Sequence, residues 1–266
     1  MQLSAALLAV TIFGIHFGGS LKSTEHFTIP LSRVLPLSVT TSSGDITVVG
    51  GSQREIVVTV IKRASSQAQL ADMHVDRHIG ARSIRLTTLL GDNCRWNCGD
   101  ISFRISVPAD TTLTLRTSSG DLTVRAMRAN LNAATSSGDV RIDGAAASRN
   151  DNIRVADASG DIQLRDTGGT VIAETSSGDV SFRDPSMSEL AQVRLSSSSG
   201  DVALYLPRSP SIRLTARTSS GSIDTNLGIR VHGRYASRYA SAQLGTGTTK
   251  AELSTASGDI TIDGER

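Results

Sequence analysis

From Leu37 to Ile262 apolar and polar residues alternate in short runs, and the runs come in pairs split by one phrase, Ser-Gly-Asp. The phrase recurs at Gly44-Asp45, Gly120-Asp121, Gly138-Asp139, Gly160-Asp161, Gly178-Asp179, Gly200-Asp201 and Gly258-Asp259, with Ser-Gly-Ser at Gly221. Seven residues before the glycine every copy is apolar: Leu37, Leu113, Leu131, Ile153, Val171, Val193, Leu214 and Ala251. Five before it stand Val39, Leu115, Ala133, Val155, Ala173, Leu195, Ala216 and Leu253, and two after it Ile46, Leu122, Val140, Ile162, Val180, Val202, Ile223 and Ile260. Four after it the column is again apolar and is broken only by Thr225. Period two on both sides of a punctuating glycine predicts two half-buried strands joined by a sharp bend.

Three residues before the glycine sit Thr41, Thr117, Thr135, Asp157, Thr175, Ser197, Thr218 and Thr255, on the inward parity yet small and hydroxylated in all but one copy. A hydroxyl there can bond the backbone of the bend, the glycine can supply a positive φ, and the aspartate can accept from turn amides. The glycines and aspartates of the phrase are therefore expected to be structural turn residues.

Successive glycines from Gly120 to Gly221 are 18, 22, 18, 22 and 21 residues apart. Periods of about 20 residues belong to solenoids, whereas propeller blades need about 40 or more. The predicted fold is all-β, a single-chain parallel β-solenoid in which each rung stacks like residues on like at about 4.8 Å. An antiparallel β-sandwich with the phrase closing hairpins is the alternative. Residues 25–266 read as one domain with insertions at about 62–100 and 228–247.

Leu3 to Phe17 is mostly apolar but shorter than the roughly 20 residues that span a bilayer. Gly18 and Ser20 fit a signal-peptidase site, so residues 1–20 are expected to be a secretory leader, with a membrane anchor as the second reading. In an exported protein Cys94 and Cys98 predict a local disulfide that pins a loop tip and holds Trp96 in place. The loop falls between predicted strands Ser83 to Leu89 and Ile101 to Val107.

Composition then narrows the partners. With 27 basic against 25 acidic residues the net charge is +2, which implies neither nucleic acid nor an anionic membrane surface as target. Aromatics make up 3%, low for stacking sugars or bases. Outward Arg116, Arg125, Arg141, Arg154, Arg165, Arg183, Arg194 and Arg217 are expected to keep the sheet surfaces soluble through loose pairing.

Candidate chemistry is sparse. His74 and His78 could join the two cysteines around zinc, but Met73, Val75 and Ile79 place the histidines on the outer face of a strand. Stacked Asp121, Asp139, Asp161 and Asp179 could act as paired carboxylates, yet a catalytic pair would differ from its neighbours and this column is uniform. One carboxylate per rung is also too few for calcium. No cofactor, metal or catalytic residue is nominated. The tandem Arg234-Tyr235-Ala236-Ser237-Arg238-Tyr239 breaks the repeat; period four would align its tyrosines on a helix, and a segment covering a sheet edge is the plainer expectation. Trp96, Arg234, Tyr235, Arg238 and Tyr239 are the candidate partner contacts.

The chain resembles the bacterial putative-adhesin family of β-strand-repeat proteins of unknown function. The resemblance rests on Thr-Ser-Ser-Gly-Asp followed by Ile, Leu or Val, on the early strand Ile56 to Val60, on Ile101 to Pro108, and on the closing Leu253 to Ile260. It implies a non-enzymatic, exported or cell-envelope solenoid that acts as a surface scaffold or adhesive module, with an unidentified protein or glycan ligand. A polysaccharide-active β-helix enzyme using stacked aspartates is the alternative. End-to-end filament assembly would depend on whether the terminal rungs are covered.

Overall fold

A computed structural model describes residues 10–14, 21–91, 99–145, 148–229, 231–234 and 237–264. The predicted alternation appears as strands whose burial alternates residue by residue; Leu113–Ser119 and Leu122–Arg125 on either side of Gly120 are typical. Strands preceding the phrase gather in one sheet and strands following it in the other, each twelve-stranded among the described residues. We refer to them as the pre-turn and post-turn sheets. Rung pairs with the phrase are parallel and in register, Leu122 beside Val140 beside Ile162 beside Val180 for example, so the sandwich alternative does not apply.

The core lies between the sheets as a continuous apolar column. Four fully buried side chains from one rung stabilise by about 1.5–3 kcal/mol each, which offsets the ordering of a rung made largely of small polar residues. Volumes are matched within a rung: Phe182, fully buried, belongs to the rung whose facing strand carries Ala173. Thr225, the one polar residue in its column, lies on the last strand of the post-turn sheet, where no further rung covers it.

Stacking order departs from chain order at both ends, which the uniform columns could not reveal. The final rung, Thr249–Ser257 with Ile260–Gly264, inserts between the rung of Leu190–Ser199 and that of Ile212–Ser220. At the other end Ile84–Leu90 and Asp100–Pro108 flank the rung of Leu37–Ser43 and Ile46–Gly51, forming a rung that lacks the phrase. The 62–100 segment is thus mostly built into the sheets. It also holds a short helix, Gln67–Ala71, capped by Ser66 and anchored by buried Leu70. The 228–247 segment forms strands Val231–Arg234 and Ser237–Leu244, an antiparallel pair against Ile212–Ser220, so period two prevails over the helical option.

Near the N-terminus, Leu21–Pro30 and Glu55–Ala64 extend the post-turn sheet antiparallel, and Val10–Gly14 pairs alongside Lys22 to His26. Arg77 closes this end of the core, its guanidinium 4.0 Å over the Phe27 ring and ion-paired with Glu25. The Glu25 carboxylate also faces Lys62 at 3.9 Å, and burial pushes the Lys62 ammonium below its ordinary range. Among the described residues no helix is long and apolar enough to cross a membrane. Most of the expected leader lies outside the described residues.

Candidate functional site

The Ser-Gly-Asp column comes first, because it is the densest concentration of polar atoms. Each aspartate uses Oδ1 to accept the backbone N–H of the aspartate one rung on: Asp121 to Asp45 at 3.0 Å, Asp139 to Asp121 at 2.9 Å, Asp161 to Asp139 at 3.2 Å. The series continues through Asp179, Asp201 and Asp259. Both ends close on serine. Asp45 donates its N–H to Ser102 Oγ at 3.2 Å, and Ser222 donates its N–H to Asp259 at 2.6 Å. Ser222 occupies the aspartate position of the outermost rung, where no further amide needs an acceptor, which accounts for the single Ser-Gly-Ser. The Ser222 N–H and then its hydroxyl hold the Asp259 carboxyl below the usual range.

Glycine is required by close approach more than by dihedral angle. Six of the column glycines have positive φ, from 120° at Gly44 to 157° at Gly160, but Gly221 and Gly258 do not. At all eight a Cβ would stand within 2.4 Å of a carbonyl oxygen of the adjacent strand. The hydroxyl column also bonds between rungs: Thr117 donates to the Gly44 carbonyl at 3.2 Å, Ser197 to Gly178 at 2.9 Å and Thr255 to Gly200 at 2.9 Å. Asp157 breaks that series. Its Oδ1 accepts from Ser159 N–H at 3.1 Å, while buried Oδ2 has no partner and crowds Gly160 together with the Gly138 carbonyl. Burial pushes its carboxyl up, aided by the nearby Asp139 and Asp161 charges.

Of the residues proposed for partner contact, Arg238 and Tyr239 are brought together with Arg217. Arg217 lies 5.3 Å from the Tyr239 ring centre, and Tyr239 is 37% exposed. With Thr218, Ser254 and Thr255 they line a depression of about 480 Å³. It joins two guanidinium groups, an aromatic face and several hydroxyls, donors suited to an oxygen-rich ligand. Arg234 lies on the neighbouring strand, and Tyr235, Trp96, Cys94 and Cys98 fall outside the described residues.

His74, Asp76 and His78 are exposed on the sheet edge, and among the described residues no group of side chains could hold a metal ion. An apolar cavity of about 510 Å³ at the N-terminal mouth, lined by Ile29, Leu31, Leu35, Ile79 and Ile84 with Arg33 beside them, gave no sequence signal because its walls come from two segments far apart in the chain. The outward arginines divide by face: Arg116, Arg154, Arg194 and Arg217 on the pre-turn sheet, and Arg125, Arg141, Arg165 and Arg183 on the post-turn sheet.

The family model described as Toastrack DUF4097 matches residues 93–263. No curated protein matches the chain. Among solved structures, a putative adhesin from Bacteroides fragilis is similar at 13% identity and a TM-score of 0.46, over 90% of this chain and 96% of that one. A putative cell adhesion protein from Clostridium sporogenes is similar at 13% identity and 0.40, over 92% and 100%. A putative lipid binding protein from Parabacteroides distasonis is similar at 10% identity and 0.36, over 91% and 97%.

Proposed function

The chain belongs to the Toastrack DUF4097 family, and from that premise we propose that it is a non-enzymatic, exported or envelope-anchored solenoid that serves as a surface scaffold or adhesive module. One observation carries the reading: the acidic column from Asp45 to Asp259 is occupied in accepting backbone amides. Carboxylates held this way serve as part of the backbone ladder and do not form an acid and base pair of different environments, as glycoside hydrolysis requires. The parts left to meet a ligand are the broad outer faces and the C-terminal depression around Arg217, Arg238 and Tyr239. The residues 1–20 leader and the Cys94–Cys98 disulfide belong to the same reading, since both assume export.

Two measurements test it. Fractionation of the tagged chain with and without residues 1–20 should find the full chain outside the cytoplasm and the shortened one inside; a wholly cytoplasmic full chain overturns export and the disulfide with it. Asp139→Asn and Asp161→Asn keep an oxygen acceptor and should leave stability nearly unchanged. Turnover of any polysaccharide by the parent that vanishes in these folded variants would establish the enzyme alternative.

A further inference from the structure

At the C-terminal end of the pre-turn sheet four strands lie side by side, Leu190–Ser199, Thr249–Ser257, Ile212–Ser220 and Ser237–Leu244. They carry five cations, Arg194, Lys250, Arg213, Arg217 and Arg238, and one carboxylate, Glu252. Both oxygens of Glu252 are taken: Arg194 donates to Oε2 at 2.8 Å and Lys250 pairs with Oε1. Arg213 is the direct register neighbour of Lys250 and adds like charge. On the level of Arg217 the next carboxylate is Glu174, three strands away across Ser254 and Ser196, roughly 14 Å at about 4.8 Å per step. That is beyond the screening length of about 8 Å at physiological salt. Asp259 feels the charge of Arg238 but accepts the Ser222 N–H.

Within this positive surface, the depression of about 480 Å³ gathers groups with donors to spare. Among the described residues the guanidinium groups of Arg217 and Arg238 form no ion pair or hydrogen bond, and neither do the hydroxyls of Ser219 and Ser254. Thr218 and Thr255 donate to the Gly258 and Gly200 carbonyls, both at 2.9 Å, which leaves their oxygen lone pairs for an incoming hydroxyl. Arg217 lies over the Tyr239 ring, whose remaining surface is exposed. No aliphatic side chain is among the described lining residues. Partner peptides and acyl chains are anchored in apolar pockets, so neither suits this hollow.

We propose that the depression binds an acidic sugar, one hexose-sized unit bearing a carboxylate, sulfate or phosphate ester, such as ends a glycan. Arg217 and Arg238 take the anionic group, since guanidinium forks match its paired oxygens. Ser219 and Ser254 donate to ring hydroxyls, Thr218 and Thr255 accept from them, and Tyr239 offers its ring to the C–H face of the sugar. The volume lies within the range of small-ligand sites. The inference rests on the surface-module reading and names the ligand class of its C-terminal depression.

The test is titration calorimetry of the full chain at low salt with glucuronate, glucose 6-sulfate, glucose 6-phosphate, glucose and AMP. At least one acidic sugar is expected to bind more tightly than glucose and AMP, and which one binds identifies the anionic group. Arg217→Gln and Arg238→Gln should each weaken it about tenfold, the size of one charge-assisted hydrogen bond. Ser254→Glu places a carboxylate beside Arg217 and should weaken binding as much while both guanidinium groups remain. The control Arg116→Gln with Arg154→Gln removes two charges from other strands of the same sheet and should bind like the parent. Thermal melts of each variant show that it is folded. Equal loss in the control, parent-like binding by the Ser254→Glu variant, no acidic sugar bound, or preference for AMP overturns the site. A cytoplasmic chain that still binds through the depression would refute export alone, and an exported chain that binds none would refute the site alone.

Discussion

Asp157 stands where every other rung places a hydroxyl, and the position permits a stability change to be worked out in sign and size. In Asp157→Thr the hydroxyl would donate to the Gly138 carbonyl as Thr117 does to Gly44 and Thr175 to Gly160. The bond gained contributes about 1 kcal/mol, and removing a buried oxygen without a partner relieves about 1–3 kcal/mol more. Against these stands the lost bond from Ser159 N–H at 3.1 Å, about 1 kcal/mol. The net gain at neutral pH is about 1–3 kcal/mol, or roughly 2–12 °C in Tm for a chain of this size. The pH dependence follows from the raised carboxyl, driven first by desolvation and secondarily by Asp139 and Asp161. A raised folded pKa means that the stability owed to the proton is complete below the ordinary aspartate range and is lost as pH rises through the folded value. Protonated Asp157 can itself donate to Gly138, so the advantage of threonine should be largest at pH 7 and shrink toward zero near pH 3. Denaturant unfolding of parent and variant across that range isolates the effect, since the rest of the acidic column cancels in the difference. A destabilised variant at pH 7, or a gain that does not change with pH, refutes the reasoning.

Other positions give simpler tests. Gly258→Ala, at a glycine without positive φ, should still destabilise by more than about 2 kcal/mol in a denaturant melt, because its Cβ would stand 2.2 Å from the Gly200 carbonyl oxygen. Asp139→Ala orphans the Asp161 amide and should cost about 1–2 kcal/mol by the same assay, while Asp139→Asn should cost much less. Phe182→Ala opens a cavity opposite Ala173 that no neighbour fills, with an expected loss of about 3–5 kcal/mol in calorimetry. Glu25→Gln leaves Arg77 and Lys62 as half-buried cations without their anion and should cost about 2 kcal/mol, recovered in part as pH rises because the Lys62 ammonium already lies low.

The rung was legible because stacking in register makes every copy answer to the same neighbours. A column such as Leu37 to Ala251 can be read only because each member packs on the next. That uniformity also hid the stacking order. Nothing in Ile212–Ser220 or Thr249–Ser257 distinguishes inner from outer placement, since both carry the same columns and make the same ladder bonds. Ser222 and Thr225 were the available marks of an outermost rung, and they gain that meaning only once the direction of the aspartate ladder is known. The division of the outward arginines between the two faces stayed hidden for a related reason. They appear in the sequence as one scattered outward set, and the split emerges only when each strand is assigned to its sheet.

The insertion of the final rung also bears on end-to-end assembly. Were Ile212–Ser220 the last strand of a simple helix, its edge would present a parallel, in-register template to a second copy. Instead the chain runs to the outermost position first, reverses in the antiparallel pair Val231–Arg234 and Ser237–Leu244, and only then returns to fill the rung beneath. The post-turn sheet ends there on three residues, Ile223–Thr225, too short to hold a further parallel rung on its own. At the far end the last described strand of the pre-turn sheet is antiparallel Met73–Ile79, which carries His74, Asp76 and His78 outward and Arg77 inward. Charged, reversed or shortened edges are the means by which sheets resist edge pairing. Among the described residues the ladder that makes the rungs cohere is therefore interrupted at both ends by reversed or shortened strands, which works against end-to-end pairing of copies.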